Sequence, residues 1–253
     1  VVIFRLILTG ILLTGLCHTL QADETLAERL LASYAPIKTV SCEVRKESEV
    51  EGNEMRMLSR VYYEKPDRLH VENFSPVKRR IIADGTTFYS YIEGDARGFS
   101  RPVAQLNDEM LRQLRKIPGT AMDHLMHLKG RPEEDLPGTE QFPVRRAYQT
   151  DTVYVVLSLD DKHRLTRIAF YRSPEMQVLA GAYEYSGFEE VLPDIWIPMH
   201  HQGVMHMDAV QSRETVRLSN YQVNEPIAPS LFNPAGFFGK TDFVDSFEAV
   251  YER

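Results

Sequence analysis

At Thr39 the hydrophobic period of the chain switches from helical to two, and it stays close to two for most of the remaining length. Upstream, Leu26, Leu30, Leu31 and Tyr34 fall on one stripe of an amphipathic helix over Glu24 to Tyr34. Asp23 is the expected N-cap and Pro36 the stop. Downstream, Val40, Cys42 and Val44 alternate with polar residues. Turns at Glu51-Gly52-Asn53, Lys65-Pro66-Asp67, Asp84-Gly85 and Glu93-Gly94-Asp95 then divide the chain as far as Val103 into short strands. Asp-Gly between two apolar runs is a strong signal for a tight hairpin. Strands so closely spaced pair as an antiparallel meander.

A helical insertion interrupts the meander. Leu106 to Ile117 carries Met110, Leu111, Leu114 and Ile117 at helical spacing, and Pro118-Gly119 breaks it. Thr120 is placed to cap a second short helix with Met122, Leu125 and Met126 facing inward. Arg131 to Pro143 reads as a proline-bearing loop. Strands resume with Arg145 to Gln149, Thr152 to Leu159, Leu165 to Tyr171, Gln177 to Phe188, Ile195 to Met207 and Ser212 to Val223. Strands, helices and more strands imply an α+β domain built on one strongly curved antiparallel β-sheet. An irregular tail follows Asn233-Pro234 and ends in a short helical pattern near Phe243 to Tyr251.

The first 22 residues set the compartment. Arg5 followed by the apolar run Leu6 to Leu16 reads as a secretory leader cleaved before Asp23, too short to span a bilayer comfortably. Cys17 offers a rival reading as a lipidation site, although the residue before it is bulky Leu16. The expected organisation is a leader at 1–22, one domain at 23–234 and a tail at 235–253. Past the leader the only cysteine is Cys42, which excludes an intrachain disulfide scaffold and reads as a small buried hydrophobe. A net charge of −7 argues against nucleic-acid partners and against a basic membrane-binding surface.

Motifs of catalysis are absent: no G-x-S-x-G elbow, no H-E-x-x-H, no phosphate loop and no dinucleotide fingerprint. The chain is expected not to be an enzyme and to need no cofactor or metal. His124 and His127 lie at helical spacing, and His200, His201 and His206 lie along one strand. Neither group has a carboxylate-rich partner motif. Glu133-Glu134-Asp135, Asp160-Asp161 and Glu189-Glu190 fall in predicted turns or loops and read as solvated charges. The one dense basic run, Lys78-Arg79-Arg80, reads as a solvated strand edge.

The string from Arg80 through Asp84-Gly85 to Phe88, Tyr89 and Tyr91 resembles the hairpin of the LolA-like periplasmic lipoprotein carriers. Three further features fall in the same order. Ile37 to Val44 resembles the family's first strand, Tyr62 to Val71 its pair of strands around a proline, and Asn224 with Leu231-Phe232-Asn233-Pro234 its closing motif. The resemblance spans roughly residues 24–234. It implies an unclosed half-barrel whose concave face, plugged by helices, holds acyl chains in an apolar cavity without covalent chemistry. It further implies a role in lipoprotein sorting or transport across the periplasm. The partners would be an acylated lipoprotein or lipid, together with membrane-bound donor and acceptor proteins. An envelope sensor or protein-interaction module on the same fold is the alternative.

On that resemblance the candidate lining residues are Leu58, Val61, Tyr63, Leu69, Val71, Phe88, Met110, Leu114, Met122 and Met126. Methionine suits such a lining because it repacks around a mobile chain. Composition alone would read the nine methionines as ordinary core. Lys65 stands where the family places a latching Arg, and a lysine cannot reproduce a bidentate latch.

Overall fold

The computed structural model describes residues 24–207 and 210–251, so the leader at 1–22, with Cys17, lies outside the described residues. The chain begins with α1 (Leu26–Ser33) and continues through β1 (Thr39–Val50), β2 (Asn53–Glu64), β3 (Arg68–Ser75), β4 (Arg79–Asp84), β5 (Thr87–Ile92) and β6 (Arg97–Pro102). Next come α2 (Asp108–Arg115), α3 (Met122–Leu128), β7 (Glu133–Leu136), β8 (Val144–Gln149), β9 (Tyr154–Leu159) and β10 (Leu165–Tyr171). The long strands β11 (Leu179–Leu192), β12 (Ile195–Met207) and β13 (Val210–Val223) precede α4 (Ala235–Phe238), β14 (Asp242–Val244) and α5 (Phe247–Tyr251).

The fourteen strands of the described residues form one open sheet in the order β14-β6-β5-β4-β3-β2-β1-β13-β12-β11-β10-β9-β8-β7. Every described pairing is antiparallel except β14 on β6. The predicted hairpin at Asp84-Gly85 forms because both residues suit it. Gly85 takes φ +99°, and an Asp84 carboxylate oxygen accepts from the Thr86 and Thr87 amides at 2.8 and 2.9 Å. Register shifts in β1, β2–β3 and β10–β11 mark bulges, which add twist and bend the sheet into a half-barrel.

Cross-strand register fixes the two faces. Val40, Tyr63, Leu69, Ala83 and Phe88 lie opposite one another across five strands and share the concave face. That face carries the main core, with Cys42, Val61, Leu157, Ile168, Ile197 and Val216 packed against Leu26 and Ala27 of α1 and Leu125 and Leu128 of α3. A second cluster joins Ala83, Phe88 and Phe99 to Leu114 of α2. β9 is buried at every position, because Tyr154 and Val156 on its outer side join Ala147, Ala169 and Ala182 in a third cluster.

Several expectations are corrected. The cap of α1 is Thr25, not Asp23: its side chain accepts from the Glu28 amide while Glu28 reaches back, a reciprocal capping box. Thr120 does not cap α3; its hydroxyl donates to the Ile117 carbonyl at 2.7 Å. The loop expected at 131–143 contains the edge strand β7. Its Glu-Glu-Asp-Leu sequence has no apolar alternation to reveal a strand. The tail at 235–253 adds β14 to the sheet, and α5 corresponds to its expected helical end.

The C-terminal segment crosses the convex face before it reaches the sheet edge. There Phe237 stands 4.8 Å from His70, which is 1% exposed, and Phe238 packs on Tyr89 and Tyr91. Burial, helped by nearby Arg80 and opposed by Glu72, pulls the His70 imidazole down to about 4. His201, on the concave face, is likewise drawn down to about 4, chiefly by burial. In the unfolded chain both imidazoles return to about 6.5. Between those values the unfolded state binds protons that the folded state does not, so stability falls as pH drops from about 6.5 toward 4. Urea unfolding midpoints measured from neutral pH down to about 5 should decline, and a His70→Phe variant should show a shallower decline.

Candidate functional site

The concave face is apolar by sequence alternation and is closed by three short helices, so the site is defined by what holds them there. α1 is clipped at both ends. A Glu133 carboxylate oxygen accepts from the Leu26 amide at 2.7 Å and from the Tyr148 hydroxyl at 2.6 Å. The same hydroxyl oxygen accepts from the Ala27 amide at 3.0 Å. Two of the helix's unpaired amides are thereby satisfied beside a negative charge, the sign its N-terminus favours. At the other end Lys65 Nζ donates to the Tyr34 and Ala35 carbonyls at 3.0 and 3.3 Å. Burial, with Lys38 nearby, lowers the Lys65 pKa.

Lys65 therefore engages the plug as a point charge on carbonyls. Glu133, expected as a solvated turn charge, is instead the clip for the first turn of α1. Its role could not be read from sequence, because it depends on β7 lying beside a helix more than a hundred residues earlier.

The α2–α3 connection is tied down by polar contacts at its rim. Tyr63 Oη donates to the Arg115 carbonyl at 3.0 Å, and Tyr221 Oη donates to the Pro118 carbonyl at 2.7 Å. Arg115 forms a bidentate pair with Asp67 at 2.6 and 3.2 Å. Lys116 pairs with Asp123 at 2.7 Å. Burial disfavours the charged Asp123 carboxylate, yet Lys116 and His124 outweigh it and the net shift is downward.

The structure brings most of the sequence-predicted residues together. Val61 and Tyr63 are buried in the main core, where Leu69, Val71 and Met122 pack against it. Phe88 and Leu114 belong to the second cluster with Met110 and Leu69, so Leu69 bridges the two. Met126 is half-buried on α3. Leu58 is not brought to this face. It pairs with Arg45 one position out of phase with buried Ser59 and is 38% exposed on the opposite side.

The remaining candidates resolve into local roles. His124 packs on Tyr183 and Phe170 at 4.6 and 5.6 Å, and His201 on Tyr185 at 5.7 Å. His200 Nδ1 is 3.1 Å from Ser186 Oγ. Among the described residues no three His, Cys, Asp or Glu side chains are grouped to hold a metal. Cys42 is buried, and burial pushes its thiol up to about 12. Within the basic run, Arg80 pairs with Glu72 and lies over the Phe237 ring, Arg79 donates to Ser90 Oγ, and Lys78 pairs with Glu93.

A hollow of about 310 Å³ opens beside α3, lined by His124, Leu128, Arg131, Val153, Val155 and Phe170 among others. A second, of about 220 Å³, lies between α1 and the strand turns near Arg164 and Trp196. Both are at or below the small end of the range for ligand pockets, roughly 300–1,000 Å³. Two residues that line the first, Leu128 and Val155, also belong to the main core.

No protein-family profile and no curated protein matches the chain. Solved structures do. A DUF1329 family protein from Desulfovibrio piger superposes with a TM-score of 0.53 at 13% identity, covering 83% of this chain and 95% of that one. A LolA superfamily protein from Nitrosomonas europaea gives 0.51 at 12% identity, covering 82% and 97%. The fold is LolA-like. A domain from Vibrio parahaemolyticus, named for outer membrane lipoprotein sorting, gives 0.51 at 11% identity, covering 83% and 96%. At these identities the LolA-like likeness extends to the fold and not to individual side chains.

Removing the Glu133 clip leaves buried donors without their acceptor. Glu133→Ala should cost about 1–3 kcal/mol, and Lys65→Met about 1 kcal/mol. Chemical denaturation checks both, with a fall in midpoint and an unchanged slope as the expected result.

Proposed function

We propose that the protein is an exported, non-enzymatic carrier. It holds the acyl chains of a lipid or lipoprotein noncovalently on the concave face and passes them between membrane-bound partners in the periplasm. The observation that carries this reading is the helix plug itself. An apolar half-barrel face is covered by separate short helices attached at their ends and rim by a handful of polar contacts. Between those contacts the packing is apolar and undirected, so an acyl chain can take the place of a helix face without leaving polar groups unpaired.

The energetics fit displacement. Burying an acyl chain gains about 0.8 kcal/mol per methylene, so ten methylenes supply roughly 8 kcal/mol before association costs. The clips at the ends of α1 are individually worth only about 1–3 kcal/mol. The hollow of about 310 Å³ beside α3 admits the end of a chain, and deeper seating requires α3 or α1 to move. Leu128, Val153, Val155 and Phe170, with the His124 ring, give it an apolar and aromatic wall, and His127, Arg131, Thr150, Asp151 and Thr152 give it a polar one, where Arg131 pairs with Asp151.

Native mass spectrometry of the gently purified protein, before and after incubation with an acylated peptide and with phospholipid, tests the proposal. An adduct of acyl-lipid mass that is lost on denaturation is expected. Lys65→Met and Glu133→Ala should each load a fluorescent fatty-acid probe faster than the parent chain, because they loosen the plug. A clean mass together with no uptake by any of the three chains would overturn the carrier reading. A protein that takes up no lipid but captures a single envelope protein would instead be the sensor.

A further inference from the structure

The two edges of the sheet are finished differently. β7 is short and acidic, which itself discourages pairing with another chain. β6 is covered by this chain's own C-terminal segment, and that cover is held unevenly. From Pro229 to Phe238 it is anchored, with Phe232 and Phe238 buried against the convex face. Gly239 then turns the chain with φ +54° and open space around it. Beyond it the anchoring thins. β14 is three residues long, and α5 has no buried residue. Phe247 stacks on Phe99 with ring centroids 4.1 Å apart yet stays 45% exposed. Few buried contacts and a short ladder are the properties of a segment that opens locally while the rest of the fold stays intact.

We propose that the β6 edge is a docking groove for an extended acidic segment of another polypeptide that carries an aromatic residue, and that residues 240–251 are its intramolecular stand-in. The groove has three parts. Its backbone pairs in parallel register through Arg97, Gly98 and Phe99. Its notch is Gly98, where an added Cβ would lie 2.5 Å from a Phe243 ring carbon, so glycine alone leaves room for the ring. Tyr89 and Phe238 close that notch at 5.3 and 5.2 Å.

The third part is a guanidinium rim. Arg97 stands 3.8 Å from the Asp242 carboxylate and donates to the Ala249 carbonyl at 3.1 Å. Arg101 donates to the Asp245 carbonyl at 2.5 Å. In the segment now seated there, Asp242-Phe243-Val244-Asp245-Ser246-Phe247-Glu248, the Asp242 carboxylate faces Arg97, Asp245 meets Arg101 through its main-chain carbonyl, and the Phe243 ring fills the notch. Backbone pairing supplies affinity, and the notch and rim supply selectivity, as in strand addition to an exposed edge. A partner segment of the same chemistry competes for the groove by mass action. The inference stands independently of acyl-chain binding.

The test uses the full chain and a fluorescein-labelled synthetic peptide of residues 240–251, read by anisotropy. A Phe243→Ala, Phe247→Ala variant, which loosens the resident segment, should bind the peptide at least about tenfold more tightly than the parent. Adding Gly98→Val to that variant should abolish binding. A peptide with Lys at the positions of Asp242 and Asp245 should lose at least about tenfold. Equal binding of a scrambled peptide, or indifference to Gly98→Val, would overturn the proposal. So would a dimer of the loosened variant that the peptide cannot dissolve, since the groove would then belong to a second copy. Hydrogen exchange on the parent chain gives an answer that needs no variant. Amides of β14 and α5 should exchange at least about tenfold faster than those of β5, and faster still with excess peptide. Protection equal to that of β5 and unmoved by peptide would overturn the proposal.

Discussion

An open sheet with one apolar face must remove that face from water, and the rest of this molecule is arranged around that requirement. A closed barrel would bury its interior by curling on itself. Here the bulged, curved sheet stops short of closure, and α1, α2, α3 and the segment between the last two fill the concavity. The hydrophobic effect that drives this is strong but undirected. It demands that something apolar lie on Val61, Leu157, Ile197 and Val216 without specifying what. An apolar ligand on the same face, as proposed above, would meet the same requirement that the helices meet.

Direction comes from the few polar contacts. α1 is a helix of eight residues, too short to be stable alone. Glu133 and Tyr148 meet its amides and Lys65 meets its carbonyls, so each end of the helix dipole faces the charge it favours. These contacts fix where the helix sits and contribute little to how strongly the face is covered. Positioning and covering are thus carried by different interactions.

The convex face follows the same logic with a different solution. Tyr62, His70, Tyr89 and Tyr91 would leave an aromatic patch in water, and the C-terminal segment lays Phe237 and Phe238 against part of it. The cover continues round the edge as β14, turning an unpaired strand into an interior one. His70 ends up enclosed among aromatics and beside Arg80, which ties the stability of this side of the fold to pH.

Alternation, turn chemistry and helical spacing are local properties, and each was legible in the chain. Asp84-Gly85 announces its hairpin, the Val153, Val155, Leu157, Leu159 stripe announces β9, and the motif order from Ile37 to Pro234 resembles a LolA-like half-barrel. Nine of the ten candidate lining residues lie on the helices or the inner face; Leu58 does not, because one step of register reverses a side chain's face. What sequence could not decide is everything that depends on distant partners. Glu133 looks like any loop carboxylate until β7 is placed beside α1. Phe243 looks like part of an amphipathic helix until Gly98 offers its ring a notch. The hairpins, the apolar face and every strand but β7 and β14 are readable from the chain alone, because they are set by neighbours in sequence, whereas those two edge strands carry no alternation that marks them. Which groups hold the plug and which segment closes the edge is settled only by the folded chain, because those contacts join separate elements, from Lys65 and Tyr34, 31 positions apart, to Arg97 and Ala249, 152 apart.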